Sequence, residues 1–194
     1  MDLFEKSSMQ EISHICHITA VHTRYDRRIF EKECVSLAKN GYSVTLLVND
    51  GKPAELKNGV SIISIHGKRF EGRLARILFS SRLFYREALR THAVVFHLHD
   101  PELLPLARKL LRRQKKVIFD SHEDVPKQIL GKSYIPARLR PFISYVYKKY
   151  EEKTLAKVNG VIIVTPGQRG RIEKVQTNVE MVTNFPSREE LVSQ

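Results

Sequence analysis

Short apolar runs, often β-branched, alternate with stretches of helical periodicity along most of this chain, and that alternation leaves few folds open. Residues 12–18 read as a buried strand followed by a polar loop, residues 19–28. Phe30, Cys34, Leu37 and Ala38 then recur at i, i+4, i+7 and i+8, the stripe of a helix that Asn40-Gly41 should stop. Further strands are predicted at 43–48, 60–65, 93–98, 117–120, 161–164 and 179–183, with a loop at Asp50-Gly51-Lys52-Pro53. Helical patterns separate most of them: residues 74–90, a segment around Leu103–Leu111, a long amphipathic stretch at 136–157, and a helix opening at Pro166. The strands are continuous apolar runs rather than clean alternations, as expected when both sheet faces are covered. The predicted class is α/β: a Rossmann-like, mostly parallel sheet of about seven strands with helices on both faces, in one domain spanning 1–194.

Composition narrows the setting. The hydrophobic fraction of 42% is enough for a core, and two cysteines, Cys16 and Cys34, lack metal-like spacing and read as small core residues. No apolar run reaches the ~18 residues of a membrane span. The start, MDLFEKSSMQEIS, lacks the apolar stretch of a secretory signal, so a cytoplasmic location is expected. Thirty-three Lys and Arg against 21 Asp and Glu leave a net charge of +12. Such a field attracts phosphorylated ligands, anionic lipid or nucleic acid without choosing among them.

In an open parallel sheet, ligands sit outside the carboxyl ends of the strands, so those loops hold the candidate site. The first contains His22, Arg24, Asp26, Arg27 and Arg28; the fourth His97, His99, Asp100 and Glu102; the fifth Asp120, His122, Glu123 and Asp124. Histidines beside carboxylates suit a hydroxyl-rich ligand, and arginines suit a phosphate. Local structure competes for several of these residues. Asp100 before Pro101, Asp26 before the first helix and Thr165 before Pro166 all read as helix caps. His97, inside a strand, reads as a hydrogen-bonded core histidine, whereas His99 and His122 lie at strand ends, where packing has less need of imidazole. His22, His99 and His122 with Asp100 or Asp124 could be drawn together around a metal, but no short metal signature is present and no metal is expected. Gly167-Gln168-Arg169-Gly170 lacks the residues and spacing of a phosphate loop.

Several blocks carry a family resemblance. They are the run from Ile15 to Thr19 with the loop His22 to Phe30, the stretch Lys32 to Thr45, His97-Leu98-His99-Asp100-Pro101-Glu102-Leu103-Leu104-Pro105, Val117 to Pro126, Val161 to Pro166, and Val182-Thr183-Asn184-Phe185-Pro186. The chain resembles the N-terminal, acceptor-side domain of family-4 retaining glycosyltransferases of the two-domain GT-B fold, most of all those that build bacterial capsule, O-antigen or exopolysaccharide. The resemblance implies that a C-terminal nucleotide-binding domain lies outside this chain. It implies that no cofactor is bound by this half, a nucleotide-sugar donor being expected in the complete enzyme, and that the chain is inactive alone. His122 matches the family's histidine near the anomeric centre of the donor. His99, Asp100 and Glu102 match the loop lining the acceptor side. The first loop is glycine-rich in many relatives; here it has no glycine, and Arg24, Arg27 and Arg28 imply side-chain contact to a phosphate. The rival reading is a non-catalytic binding subunit that docks a separate nucleotide-binding partner.

Basic residues gather in three segments: around Arg73, Arg76 and Arg86, in residues 108–116, and in 138–149 among Tyr134, Phe142, Tyr145, Tyr147 and Tyr150. Charge runs commonly form solvated faces. With a lipid-linked acceptor, they imply peripheral attachment to an anionic inner membrane face through Arg73, Arg76 and Arg86. No nucleic-acid-reading motif accompanies the charge, so no nucleic-acid partner is expected.

Overall fold

The computed structural model describes residues 14–65 and 81–183. Eight strands form one sheet in the order β3-β4-β2-β1-β5-β6-β7-β8. They are β1 (His14–Ile18), β2 (Ser43–Val48), β3 (Glu55–Lys57), β4 (Val60–Ser64), β5 (Val95–Leu98), β6 (Lys116–Ser121), β7 (Gly160–Ile163) and β8 (Val179–Met181). All pairs are parallel except β3 with β4. The Rossmann-like α/β prediction therefore holds, with one strand more than the seven expected. The extra strand is a local hairpin. Asn58 and Gly59 both take positive φ, at 51° and 78°, and reverse the chain in two residues so that Lys57 pairs with Val60.

The helices are α1, which is π-helical over Arg27–Cys34 and α-helical over Val35–Lys39; α2 (Ser81–Arg90); α3 (Leu104–Arg112), entered through a 3₁₀ turn at Pro101–Leu103; α4 (Val125–Leu130); α5 (Arg140–Leu155); and α6 (Pro166–Ile172). Asp26 caps α1, its carboxylate accepting from the Arg28 and Ile29 N–H groups at 2.9 Å. Gly41 follows that helix at φ 87°, a conformation that only glycine takes without strain. α4 was not expected from the sequence, and the long amphipathic helix begins at Arg140 rather than Pro136. The first part of the predicted 74–90 helix and the loop 184–186 lie outside the described residues.

Two cores result. Cys16, Ile18, Phe96, Leu98 and Phe119 point to one face, against Phe84 of α2, Leu106 and Leu110 of α3 and Leu155 of α5. On the other face Val44, Leu46, Val48, Val60 and Ile62 meet Ile29, Phe30, Cys34 and Val35 of α1. Both cysteines are free and buried within these cores, and burial pushes both thiols up, Cys16 to about 12. Along the second face the row then turns polar. His17 lies beside Leu46 on one side and His97 on the other.

Candidate functional site

Strand order reverses direction at the β1/β5 junction, where two connections diverge and the sheet leaves a crevice. A cleft of about 250 Å³ opens there. The β1 loop supplies His22, the turn after β5 supplies Asp100 and Glu102, and the segment after β6 supplies His122, Glu123, Gln128 and Lys132.

Asp100 organises the cleft. It is buried, and one carboxylate oxygen accepts from the Thr19 hydroxyl at 2.8 Å and from the backbone N–H groups of Ala20 and Val21. Its other oxygen lies 3.4 Å from His22 Nε2. It makes no side-chain cap to its own 3₁₀ turn, contrary to expectation. The backbone at Asp100 is extended, and the side chain reaches across to the β1 loop, where three donors outbid one cap. Thr165 likewise caps nothing; its hydroxyl donates to Gln168 Oε1.

His22 bridges two carboxylates. Its Nδ1 sits 3.1 Å from Asp26 Oδ2. The Asp26 hydrogen bond raises the imidazole above its ordinary 6.5, and His22 in turn helps draw Asp26 down to about 2. The Asp26 carboxylate therefore contributes stability that is fully present above its ordinary 3.8 and is lost as pH falls toward about 2. The raised His22 contributes below 6.5, and that part is lost as pH climbs through its elevated value. The His22 and His122 rings meet edge to face, centroids 5.2 Å apart. His122 is 17% exposed, and its Nδ1 has no hydrogen-bond partner among the described residues, with Asp120 Oδ2 3.9 Å away.

Other predicted residues go elsewhere. Arg24 is buried and turned away from the cleft. Its guanidinium grips Asp50 at 2.7 and 2.9 Å, Glu55 at 2.7 Å and the Pro53 carbonyl at 2.8 Å. Those bonds occupy the fork expected for a phosphate and pin the 50–55 loop. Asp124 caps α4, accepting from Lys127 N–H, and pairs with the Lys127 ammonium at 3.1 Å. Arg27 is exposed at the start of α1, and Glu123 is exposed at the cleft rim. Glu102 is buried at the cleft wall. Arg73 and Arg76 lie outside the described residues; Arg86 is exposed on α2.

His99 is not at an open edge. It is fully buried and packs with His17 and His97 beneath the cleft. His17 Nδ1 and His99 Nε2 are 2.9 Å apart, and His99 Nδ1 lies 3.3 Å from Asp120 Oδ2. Burial holds all three imidazoles below their ordinary value, His17 at about 4. Arg28 donates to both oxygens of Asp120, at 3.0 and 3.2 Å, and to the Val182 carbonyl at 3.2 Å. Glu33, from α1, closes over the three rings, and burial pushes its carboxyl up to about 8. Sequence reasoning missed Glu33 and gave Asp120 no role. A signal existed for Glu33: it falls three residues after Phe30, inside the apolar stripe of α1 rather than on its polar side.

A family model described as Glycosyltransferase Family 4 matches residues 33–185, well over half of the chain. No curated protein matches it. Among solved structures it is similar to sucrose-phosphate synthase from Thermosynechococcus elongatus, with TM-score 0.68 and 13% identity over 90% of this chain and 49% of that one. The catalytic domain of starch synthase IV from Arabidopsis thaliana, bound to ADP and acarbose, aligns with TM-score 0.57 and 11% identity over 88% of this chain and 51% of that one. A structure described as LpCGTa in complex with UDP gives TM-score 0.61 and 11% identity over 91% and 53%. At these identities the likeness shows the fold, and the chain spans about half the length of each of these three structures.

Proposed function

The chain belongs to glycosyltransferase family 4, and on that premise we propose that it forms the acceptor-side half of a nucleotide-sugar-dependent transferase. The observation that carries this is the cleft at the β1/β5 switch, where two imidazoles, three carboxylates, an amide and an ammonium group converge. Such a mixture of donors and acceptors matches a sugar's hydroxyls. His122 holds the donor sugar near its reacting carbon. His22, Asp100, Glu102 and Glu123 orient the acceptor hydroxyl. A second domain, on the same chain or a partner subunit, holds the nucleotide, and transfer proceeds with retention at the anomeric carbon. Purified 1–194, given a nucleotide sugar and a lipid-linked acceptor, is expected to show no turnover until that second domain is supplied. Robust turnover by 1–194 alone overturns the half-enzyme reading.

The acceptor class in this proposal is a lipid-linked saccharide of a bacterial surface polysaccharide. Its support is the surface beside the cleft. Leu130, Tyr134, Leu139, Phe142, Tyr145 and Val146 are all exposed along α4, α5 and the segment between them, Phe142 at 66%, with Arg138 and Lys149 among them. Tyr147 and Tyr150 pack inward instead. Gln128 and Lys132, on the cleft wall, belong to the same stretch of chain. No helix among the described residues is long and apolar enough to cross a membrane. In this reading attachment is peripheral: apolar side chains settle at the interface and cations gather over anionic headgroups. Phosphatidylglycerol vesicles should bind the chain at low salt and release it as salt rises, since attraction is screened beyond ~8 Å at physiological ionic strength. Changing Arg138 and Lys149, both exposed on this surface, together to Gln should weaken binding with little loss of thermal stability. Salt-insensitive binding, or equal binding to neutral phosphatidylcholine vesicles, counts against this mechanism.

A further inference from the structure

We propose that His17, His97, His99 and Glu33 form a buried site for a divalent transition-metal ion of the zinc type, clamped between β1, β5 and α1. Each residue offers one ligand atom, and the four atoms lie within 4.8 Å of one another. Glu33 Oε2 stands almost equidistant from three imidazole nitrogens: 3.9 Å from His17 Nδ1, 3.7 Å from His97 Nδ1 and 3.8 Å from His99 Nε2. Tetrahedral zinc with bonds of ~2.0–2.1 Å separates its ligand atoms by ~3.3 Å. The 2.9 Å between His17 Nδ1 and His99 Nε2 falls below that value and the three carboxylate distances above it. The four quoted distances each lie within ~0.6 Å of that value, and the whole set, spread over no more than 4.8 Å, must contract around the ion.

Chemistry supports the geometry. Arg28 Nε forms an ion pair with Glu33 Oε1 at 3.2 Å, which leaves Oε2 turned toward the rings; neither Glu33 oxygen meets the geometry of a hydrogen bond among the described residues, and the single contact between His17 and His99 uses only part of the cluster's lone-pair capacity. Acceptors aimed at one buried point are costly unless a cation lies between them. The outer partner is present as well. His99 turns its second nitrogen to Asp120, which Arg28 holds from the other side, the carboxylate–histidine pattern that orients a metal ligand. Three imidazoles and one carboxylate favour zinc or its first-row neighbours over magnesium or calcium, which take oxygen ligands. Four protein ligands close the coordination shell, so the ion acts as a cross-link rather than as a Lewis acid. Glu33 and Arg28 keep 15% and 13% of their side chains exposed, which leaves a route in from solvent.

The test uses the whole chain, stripped with a chelator and titrated with Co(II) and Zn(II). One metal per chain is expected after desalting. Co(II) should develop tetrahedral ligand-field bands that Zn(II) bleaches. Free zinc at ~100 times Kd should lower the unfolding equilibrium constant about 100-fold. Glu33→Gln and His97→Ala should each weaken binding more than ~100-fold, beyond the usual effect of an outer-shell change. His22→Ala, in the cleft, should leave stoichiometry intact. If His97→Ala fails to fold, Glu33→Gln, which keeps the side-chain size, carries the comparison. Absence of stoichiometric metal and of the cobalt bands, or undiminished binding in Glu33→Gln, overturns the proposal.

Discussion

Asp100→Ala is expected to destabilise the fold by about 3 kcal/mol, because hydrogen bonds to a buried charged group contribute ~1.5–3 kcal/mol each and their orphaned donors remain inside. The Thr19 hydroxyl and the Ala20 and Val21 N–H groups would lose their common acceptor, and His22 would lose one of its two carboxylates. For a chain of this size that loss corresponds to roughly 6–12 °C in Tm, using ~2–4 °C per kcal/mol. Urea unfolding measures it directly. A helix cap alone would cost only ~1 kcal/mol, so a loss that small would mean that Asp100 is not the strut of the β1 loop. Asp100→Asn retains a carbonyl acceptor and should recover part of the stability.

In the complete enzyme, or in this chain joined to its nucleotide-binding half, His122→Ala is expected to reduce turnover on the order of 10²-fold, the lower range for a positioned acid–base or polar group. Stability should change little, since the ring lines the cleft, is partly exposed and leaves Nδ1 without a hydrogen bond among the described residues. Steady-state kinetics paired with thermal unfolding separate the two effects. A variant that unfolds with its residual activity intact per folded molecule would make His122 a packing residue.

The two histidine groups divide one stretch of polar residues into different environments. His22 and His122 meet solvent in the cleft. His17, His97 and His99 lie under it, linked to it through Asp120, which lies 3.3 Å from His99 and 3.9 Å from His122. Asp26 and Glu33 belong to the same helical segment, one capping it beside His22 and the other closing over the buried rings. The two groups therefore share supports, Asp120 of β6 and the helical segment α1.

Most of the elements and their order were legible in the residues, β3 and α4 excepted. Apolar runs of four to seven residues mark strands, i, i+4, i+7 spacing marks α1, and Asn40-Gly41 marks its end; each depends on residues within a turn or two. The sequence also placed the candidate loops, since strand ends follow from strand positions. The β3–β4 hairpin was legible in Asn58-Gly59, a two-residue turn signal obscured because the strand before it, Glu55–Lys57, is short and polar. What faces what was decided only by the tertiary structure. His17 and His99 are 82 positions apart, and they touch because β1 pairs with β5 in one register; a shift by one residue would send both to the opposite face. Arg24 and Arg28 sit four residues apart with equal claims on a phosphate, yet Arg24 turns to Asp50 and Glu55 while Arg28 turns to Asp120. Asp100 looked like a local cap because its neighbours in sequence are a helix start, and became a strut because its neighbours in space are three unsatisfied donors of another loop. Local propensity is written in neighbouring residues, whereas the pairing of buried polar groups depends on strand register and helix placement, which arise only when distant segments pack.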